Sequence, residues 1–126
     1  MNHKADQLAA FVNGYQGAAL WSSYHSYDDN IHLDELADTD DFSEELKKKV
    51  NEDCSKFFED NFNSMIATGK VDFGSHGHDF WMDRNSLGVG FWARGYGDIG
   101  RSLSEACKNS GEFHIYLGDD KLIYAE

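Results

Sequence analysis

Apolar residues recur at helical spacing in two long segments of the chain, and each segment predicts an amphipathic helix. The first covers residues 5–22, where apolar side chains three and four positions apart define one face. The second starts after Asp41 or Ser43, either of which can cap it, and Gly69 is placed to end it. Its apolar stripe consists of Leu46, Val50, Cys54, Phe57, Phe58, Phe62, Met65 and Ile66.

Two glycines lie within the first predicted helix. Gly14 and Gly17 weaken this helix, because glycine in a helix interior costs up to about 1 kcal/mol relative to alanine. Their placement on one side predicts that another backbone approaches the helix closely there.

The periodicity changes from residue 69 onward, where glycine and aromatic residues become frequent. Residues 79–84 and 89–94 resemble two strands, and residues 85–88 resemble the turn between them. In this hairpin, Gly88 and Gly90 leave room for Trp81 or Trp92 to lie across the backbone.

A third helix and a second hairpin complete the predicted elements. The helix covers residues 98–109 and stops at Gly111. The hairpin pairs residues 113–117 with 121–124 around the turn Gly118-Asp119-Asp120. A polar connector at residues 24–30 and one short helical turn at 33–36 separate the first two helices.

These elements predict an α+β fold in a single domain spanning residues 1–126. Residues 1–68 form an acidic helical part and residues 69–126 a ββαββ part. The two hairpins are expected to form one four-stranded, mostly antiparallel sheet, with the helices packed on one face.

The net charge of the chain limits the classes of molecule that it is expected to bind. The chain has 11 Lys and Arg against 23 Asp and Glu, which gives a formal net charge of −12. Such a protein repels the phosphate backbone and anionic lipids, so direct nucleic-acid binding and membrane association are not expected. A partner with a basic surface, a bound cation, or charge that serves only solubility remains, and the basic partner is the preferred expectation.

The acidic residues are concentrated in and before the second helix. The predicted partner-binding acidic face consists of Asp40, Asp41, Glu44, Glu45, Glu52, Asp53, Glu59 and Asp60. Ordered carboxylates on such a face can take the place of nucleic-acid phosphates in the groove of a nucleic-acid-binding protein. The alternative is a solvated helix surface without a partner.

The two cysteines and the first residues of the sequence indicate the cellular compartment. Cys54 and Cys107 both lie on apolar helix positions, which predicts two buried thiols in a reducing compartment, with a disulfide as the alternative. The first residues lack a basic stretch followed by an apolar one, so no signal peptide is expected.

An unusual motif lies in the second half of the chain. The sequence reads GHDFW at 77–81, RN at 84–85 and GVGFWARG at 88–95, and YLGDD at 116–120 precedes Tyr124. This pattern resembles a family of small uncharacterised proteins encoded by tailed bacteriophages. The resemblance implies phage origin and action in the cytoplasm of an infected bacterium, and it supplies no activity.

The same motif predicts a second binding face. Because a sheet packed on one side cannot bury both of its faces, either Phe80 and Phe91 or Trp81 and Trp92 should face outward. The alternative is that the N-terminal helices or a second subunit cover the outer pair. The predicted face consists of His78, Trp81, Asp83, Arg84, Trp92 and Arg94. Ion pairs between strands are the ordinary role for the charged residues.

Histidines and carboxylates near the motif are weak candidates for a metal site. On an extended segment, His76 and His78 would point to the same side, with Asp79 beside them. Only this short patch is visible in the sequence, so no metal and no cofactor are predicted.

Three functions remain open at this point. The preferred one is a non-enzymatic phage protein that binds and inhibits a nucleic-acid-handling or defence protein of the host. A small metal-dependent enzyme or binding protein using His76, His78 and Asp79 is the first alternative. A structural or assembly module, with a homodimer through the aromatic face, is the second.

Overall fold

A computed structural model of the chain describes residues 3–126. Its four helices are α1 (His3–Ser22), α2 (Glu44–Ala67), α3 (Phe73–Arg84) and α4 (Asp98–Asn109). Its four strands are β1 (Tyr24–His25), β2 (Asp28–His32), β3 (Ile115–Leu117) and β4 (Ile123–Ala125). Three short 3-10 helices cover Leu33–Glu35, Thr39–Asp41 and Phe91–Arg94.

The helices predicted at residues 5–22 and 98–109, and the one predicted between Ser43 and Gly69, are all present. The Ser43 hydroxyl accepts a hydrogen bond from the Leu46 amide at 3.1 Å, which caps the start of α2. Gly69 follows α2 with a φ of 82°, a left-handed conformation that ends a helix at little cost for glycine. Local signals were therefore sufficient for these three elements.

The closest packing in the molecule is between α1 and α3. A Cβ atom at Gly14 would lie 1.9 Å from the Gly74 carbonyl oxygen, and one at Gly77 would lie 1.8 Å from that of Phe11. The backbone approach predicted at Gly14 is confirmed, whereas a Cβ at Gly17 would meet nothing within 4 Å.

Aromatic rings fill the core between these helices and α2. Phe57 stacks on Phe80 with ring centroids 4.2 Å apart, and Phe11 packs against both rings. Most of the predicted stripe of α2 is buried, but Ile66 is exposed. Cys54 and Cys107 are both buried and are not joined by a disulfide.

The first predicted hairpin is wrong. Residues 79–84 form the second half of α3, and Phe91–Arg94 is a 3-10 helix. The Asp72 carboxylate caps α3 by accepting from the Ser75 amide. Because α3 is buried on nearly every side, its bulky aromatic residues show no helical polar face and resemble a strand.

The single four-stranded sheet is also wrong, because the structure has two separate two-stranded antiparallel sheets. One pairs β1 with β2, inside the segment predicted to be a polar connector. The other is the C-terminal hairpin, in which Tyr116 pairs with Tyr124. The part after residue 69 therefore contains two helices and one hairpin in place of a ββαββ unit.

The C-terminal hairpin packs against the start of α2. Phe42 forms an isolated parallel bridge with Ile123, and the Ser43 amide donates to the Ile123 carbonyl at 2.8 Å. On the other side, β1 lies against β3. No helix within residues 3–126 combines the length and the apolar composition needed to cross a bilayer.

Candidate functional site

Arg84 is the most buried cation of the motif, and its hydrogen bonds join several elements inside the protein. Its guanidinium donates to the Gly111 and Ser110 carbonyls at 2.8 and 2.9 Å. It also donates to the Tyr15 hydroxyl at 2.9 Å and to the Asp53 carboxylate at 2.8 Å. The guanidinium thus satisfies the carbonyls that follow α4 and joins α1, α2 and α3.

Asp83 is equally engaged inside the molecule. Its carboxylate accepts hydrogen bonds from the Phe91 amide at 2.8 Å and the Ser104 hydroxyl at 2.6 Å. Burial raises the pKa of Asp83, and these two hydrogen bonds oppose that shift. The carboxylate fixes the 3-10 helix Phe91–Arg94 between α3 and α4.

Asp79 forms the outer ion pair of the motif. Arg94 donates to both of its carboxylate oxygens, at 3.1 and 2.8 Å, and this pairing raises the pKa of Arg94. His78 approaches the same carboxylate at 3.4 Å. A buried carboxylate held in this bidentate pair anchors the loop after α3.

The predicted second binding face is therefore only half accessible: Trp92 and Arg94 are exposed and His78 is partly buried. Trp81, Asp83 and Arg84 are each no more than 3% exposed, so a partner cannot reach them. Phe80 and Phe91 are buried as well, and only Trp92 of the two candidate pairs faces solvent. The reason is that these residues lie on a buried helix and a 3-10 helix, where strand alternation does not apply.

Gly90 also has a different role from the predicted one. A Cβ atom there would lie 1.9 Å from a carboxylate oxygen of Asp83, so the missing side chain makes room for that carboxylate and not for a tryptophan. Gly88 has a φ of 94°, and a Cβ there would meet nothing within 4 Å.

The histidines do not converge on a metal position. His76 is fully buried between the rings of Phe73 and Phe91, and its Nε2 bonds the Lys70 carbonyl. His78 follows His76 by two residues in α3, and this spacing places the two imidazoles on different sides of the helix. Across residues 3–126, no group of three His, Cys, Asp or Glu side chains is arranged to hold a metal ion.

The predicted acidic face divides into two parts. Along α2 the carboxylates pair with lysines one turn away: Asp53 with Lys49 at 3.1 Å and Asp60 with Lys56 at 2.8 Å. Glu59 pairs with Lys4 of α1 at 3.1 Å. This half of the face, which also includes Glu52, is therefore interlaced with positive charge.

The other half belongs to a region with almost no such compensation, which we call the acidic lobe and define as residues 23–45 and 112–126. The ion pair of Glu44 with Lys47 at 3.4 Å is the exception among its predicted residues. Residues 23–45 contain nine Asp or Glu and no Lys or Arg. Residues 112–126 contain four Asp or Glu and one Lys. The remainder of the chain has ten acidic and ten basic residues, so the acidic lobe accounts for the whole net charge of −12.

The two segments of the acidic lobe are neighbours in space. The Phe42–Ile123 bridge and the Ser43–Ile123 hydrogen bond join the start of α2 to β4, and β1 lies against β3. The predicted residues Asp40, Asp41, Glu44 and Glu45 all lie in this lobe.

Hydrogen bonds from the backbone position several of the lobe's carboxylates. Asp38 accepts from the Asp40 amide and Asp41 from the Asp38 amide, each at 2.9 Å. Glu35 accepts from the His32 amide at 2.7 Å. Asp120 accepts from the Tyr124 hydroxyl, and this hydrogen bond lowers the pKa of Asp120. These negative charges are consequently ordered.

A group of exposed rings lies on the same lobe. Trp21, at the end of α1, stacks on His32, and the Tyr24 ring lies 4.6 Å from His32 between centroids. Tyr27 packs beside His25 and is 90% exposed. We call these five side chains the aromatic surface.

The sequence interpretation missed the aromatic surface and the full extent of the acidic lobe. The absence of Lys and Arg between Lys4 and Lys47 was a readable signal for the larger segment of the lobe. The concentration of aromatic residues in the sequence WSSYHSY at 21–27 was a signal for the rings. The contribution of the C-terminal hairpin depends on tertiary contacts.

Comparison with known proteins adds no further constraint. The chain matches no protein-family model. No curated protein and no solved structure matches it either.

Proposed function

We propose that this protein is a non-catalytic binding protein that uses its acidic lobe to occupy a basic surface of another protein. The observation that carries the proposal is the segregation of charge. Residues 23–45 and 112–126 hold the entire net charge, whereas the rest of the chain is balanced. A uniform solubilising charge would be spread over both regions.

The lobe has the properties needed to stand in for a phosphate backbone. Its acidic residues are distributed over two adjoining segments, and backbone amides hold the carboxylates of Glu35, Asp38 and Asp41 in place. Ordered charge costs less entropy on binding than mobile charge does. A one-signed surface also accelerates encounter with an oppositely charged partner.

The buried motif favours binding over catalysis. Asp79, Asp83 and Arg84 are occupied by internal hydrogen bonds that hold the helices together. Acid–base and metal chemistry require side chains that can reach a substrate. The metal-dependent alternative with His76, His78 and Asp79 therefore has no support from the arrangement of these residues.

The class of partner that we propose rests on the resemblance of the motif to tailed-phage proteins. On that basis the partner is a host protein that handles nucleic acid or takes part in defence, and binding takes place in the cytoplasm of the infected bacterium. A protein of this class offers the basic groove that the acidic lobe requires.

Two variants with the same change in charge test the proposal. The lobe variant combines Asp29→Asn, Asp34→Asn, Asp40→Asn and Glu45→Gln, all at exposed positions. The control variant combines Glu52→Gln, Glu59→Gln, Asp60→Asn and Glu105→Gln, which are exposed but lie outside the lobe. Both variants remove four negative charges.

Each protein is immobilised and used to capture proteins from a bacterial lysate at low and high salt, with and without competing double-stranded DNA. We expect the wild-type chain and the control variant to retain the same protein, the lobe variant to lose it, and DNA to displace it. Equal capture by both variants, or capture that DNA and salt leave unchanged, would overturn the proposal.

A further inference from the structure

The aromatic surface is unusual for its degree of exposure. Trp21 is 51% exposed, Tyr24 is 50% exposed and Tyr27 is 90% exposed, although all three are large rings on one small region. Exposed Trp and Tyr side chains are typical of the residues that contribute most of the energy in protein interfaces.

The segment that carries these rings is rich in acidic residues. Tyr24 and Tyr27 lie within the acidic lobe, and Asp28 and Asp29 follow them directly. Trp21 lies in the last turn of α1, which holds no basic residue, so the negative end of the helix dipole lies close to this ring. The faces of the aromatic rings are themselves negative because of their quadrupole.

The rings are also held in place. Trp21 stacks on His32 with an interplanar angle of 17°, and the Trp21 carbonyl is hydrogen-bonded to the Nδ1 atom of His32. The Tyr24 ring contacts the same imidazole. His32 in turn is fixed by the hydrogen bond from its amide to Glu35. The surface is therefore preorganised.

We infer that the aromatic surface is the anchor point for arginine side chains of the basic partner. This inference rests on the proposed function and specifies the chemistry of its interface. A guanidinium stacks flat on an aromatic ring and at the same time donates to carboxylates, and it is more weakly hydrated than an ammonium. Exposed rings within an acid-rich segment match both properties, whereas the ammonium of lysine neither stacks flat on a ring nor pairs with a carboxylate through a planar fork.

Labelled deca-arginine and deca-lysine peptides test the inference, with fluorescence anisotropy as the measurement. Because cation–π contacts at exposed sites are modest, we expect the arginine peptide to bind about two- to fivefold tighter than the lysine peptide. Trp21→Ala is expected to bring the two affinities together. Tyr27→Ala, at a position too exposed to affect folding, should reduce the preference in part.

Trp92 provides the matched control. It is 55% exposed, close to the exposure of Trp21, but it lies beside Arg101 and Lys108 and outside the acidic lobe. Trp92→Ala should leave the preference for arginine unchanged. Equal binding of both peptides to the wild-type chain, or equal effects of Trp21→Ala and Trp92→Ala, would overturn the inference.

The outcomes separate this inference from the proposed function. If both peptides bind in a salt-sensitive way that the lobe variant weakens, but without preference, only the arginine anchor fails. If neither peptide binds, the proposed function fails as well. If light scattering shows a dimer that Trp21→Ala dissociates, a second copy of the chain covers the rings and the anchor is rejected.

Discussion

The carboxylate of Asp83 occupies the space that a side chain at position 90 would need. A Cβ atom on Gly90 would lie 1.9 Å from one oxygen of Asp83 and 2.0 Å from its carboxyl carbon. Since the carboxylate is held by Phe91 and Ser104, it cannot move aside freely. The tight turn before the 3-10 helix thus depends on this pair of residues.

We therefore expect Gly90→Ala to destabilise the protein by about 1–3 kcal/mol, as overpacking in a core does. Urea denaturation monitored by circular dichroism measures the change. The control is the same substitution in an Asp83→Ala background, where the space is free and the extra cost of the added methyl group should largely disappear. Equal costs in both backgrounds would show that the contact is unimportant.

Arg84→Met should cost about 1.5–3 kcal/mol, because the buried Tyr15 hydroxyl loses its donor and the Asp53 carboxylate loses one of its two cations. The partners of Arg84 are the Tyr15 hydroxyl, the Asp53 carboxylate and the carbonyls of Ser110 and Gly111. Arg84→Lys should recover only part of this loss, since an ammonium lacks the fork geometry of a guanidinium.

Arg101→Met is the control for the loss of a cation. Arg101 pairs with Asp98 at the surface, where both side chains are largely exposed. Exposed ion pairs contribute little, so the expected change is below about 1 kcal/mol. Thermal unfolding of the three variants gives the ranking, and a similar loss in Arg101→Met and Arg84→Met would contradict the role assigned to Arg84.

The elements that could be predicted are those with sequence signals inside or directly beside the element. Capping by Ser43, the apolar stripe of α2 and the turn before β4 are all readable within a few residues. By contrast, α3 is buried almost all round, so Phe80, Trp81 and Met82 show no polar side to reveal the helical period. Contacts with the rest of the protein, and not a local pattern, therefore determine that α3 is a helix.

In the candidate site, too, some features were readable from the local sequence and others depend on tertiary contacts. The acidic run before α2 was visible, and the lysines four residues before Asp53 and Asp60 were a readable signal that these two carboxylates are paired within the helix. The sequence does not show that β3 and β4 adjoin this run, because the contact between Phe42 and Ile123 spans most of the chain.

The α1–α3 contact predicts opposite effects for two substitutions in one helix. Gly14→Ala places a methyl group 1.9 Å from the Gly74 carbonyl oxygen and should force the helices apart. Gly17→Ala meets nothing within 4 Å and should stabilise α1 by up to about 1 kcal/mol through helix propensity. Urea midpoints of the two variants check the signs, and two losses of similar size would contradict the close contact.

Neither cysteine should react with thiol reagents in the native protein. Burial raises the pKa of both Cys54 and Cys107, and both side chains are inaccessible. Because the thiolate is the nucleophile, reaction requires unfolding. Ellman's reagent should therefore detect no free thiol in native buffer and two thiols in guanidinium. Rapid labelling of the folded protein would show that the core opens locally.

His76 should make the protein less stable as the pH falls below neutrality. Burial between Phe73 and Phe91 lowers its pKa in the folded state, and its Nδ1 has no hydrogen-bond partner among the described residues. The unfolded chain takes up a proton on this histidine at about pH 6.5, whereas the folded chain resists it. Stability is thus complete above the unfolded pKa and decreases below it until the folded pKa is reached.

The matched variant is His76→Phe, which keeps a ring between Phe73 and Phe91 but cannot titrate. Free energies of unfolding from urea titrations at several values between about pH 7.5 and 5.5 are compared for the two proteins. Asp83, whose pKa is raised by burial, is present in both, so its contribution cancels in the difference. The wild-type chain should lose more stability over this range than the variant, and parallel curves would mean that the buried imidazole accepts its proton without cost.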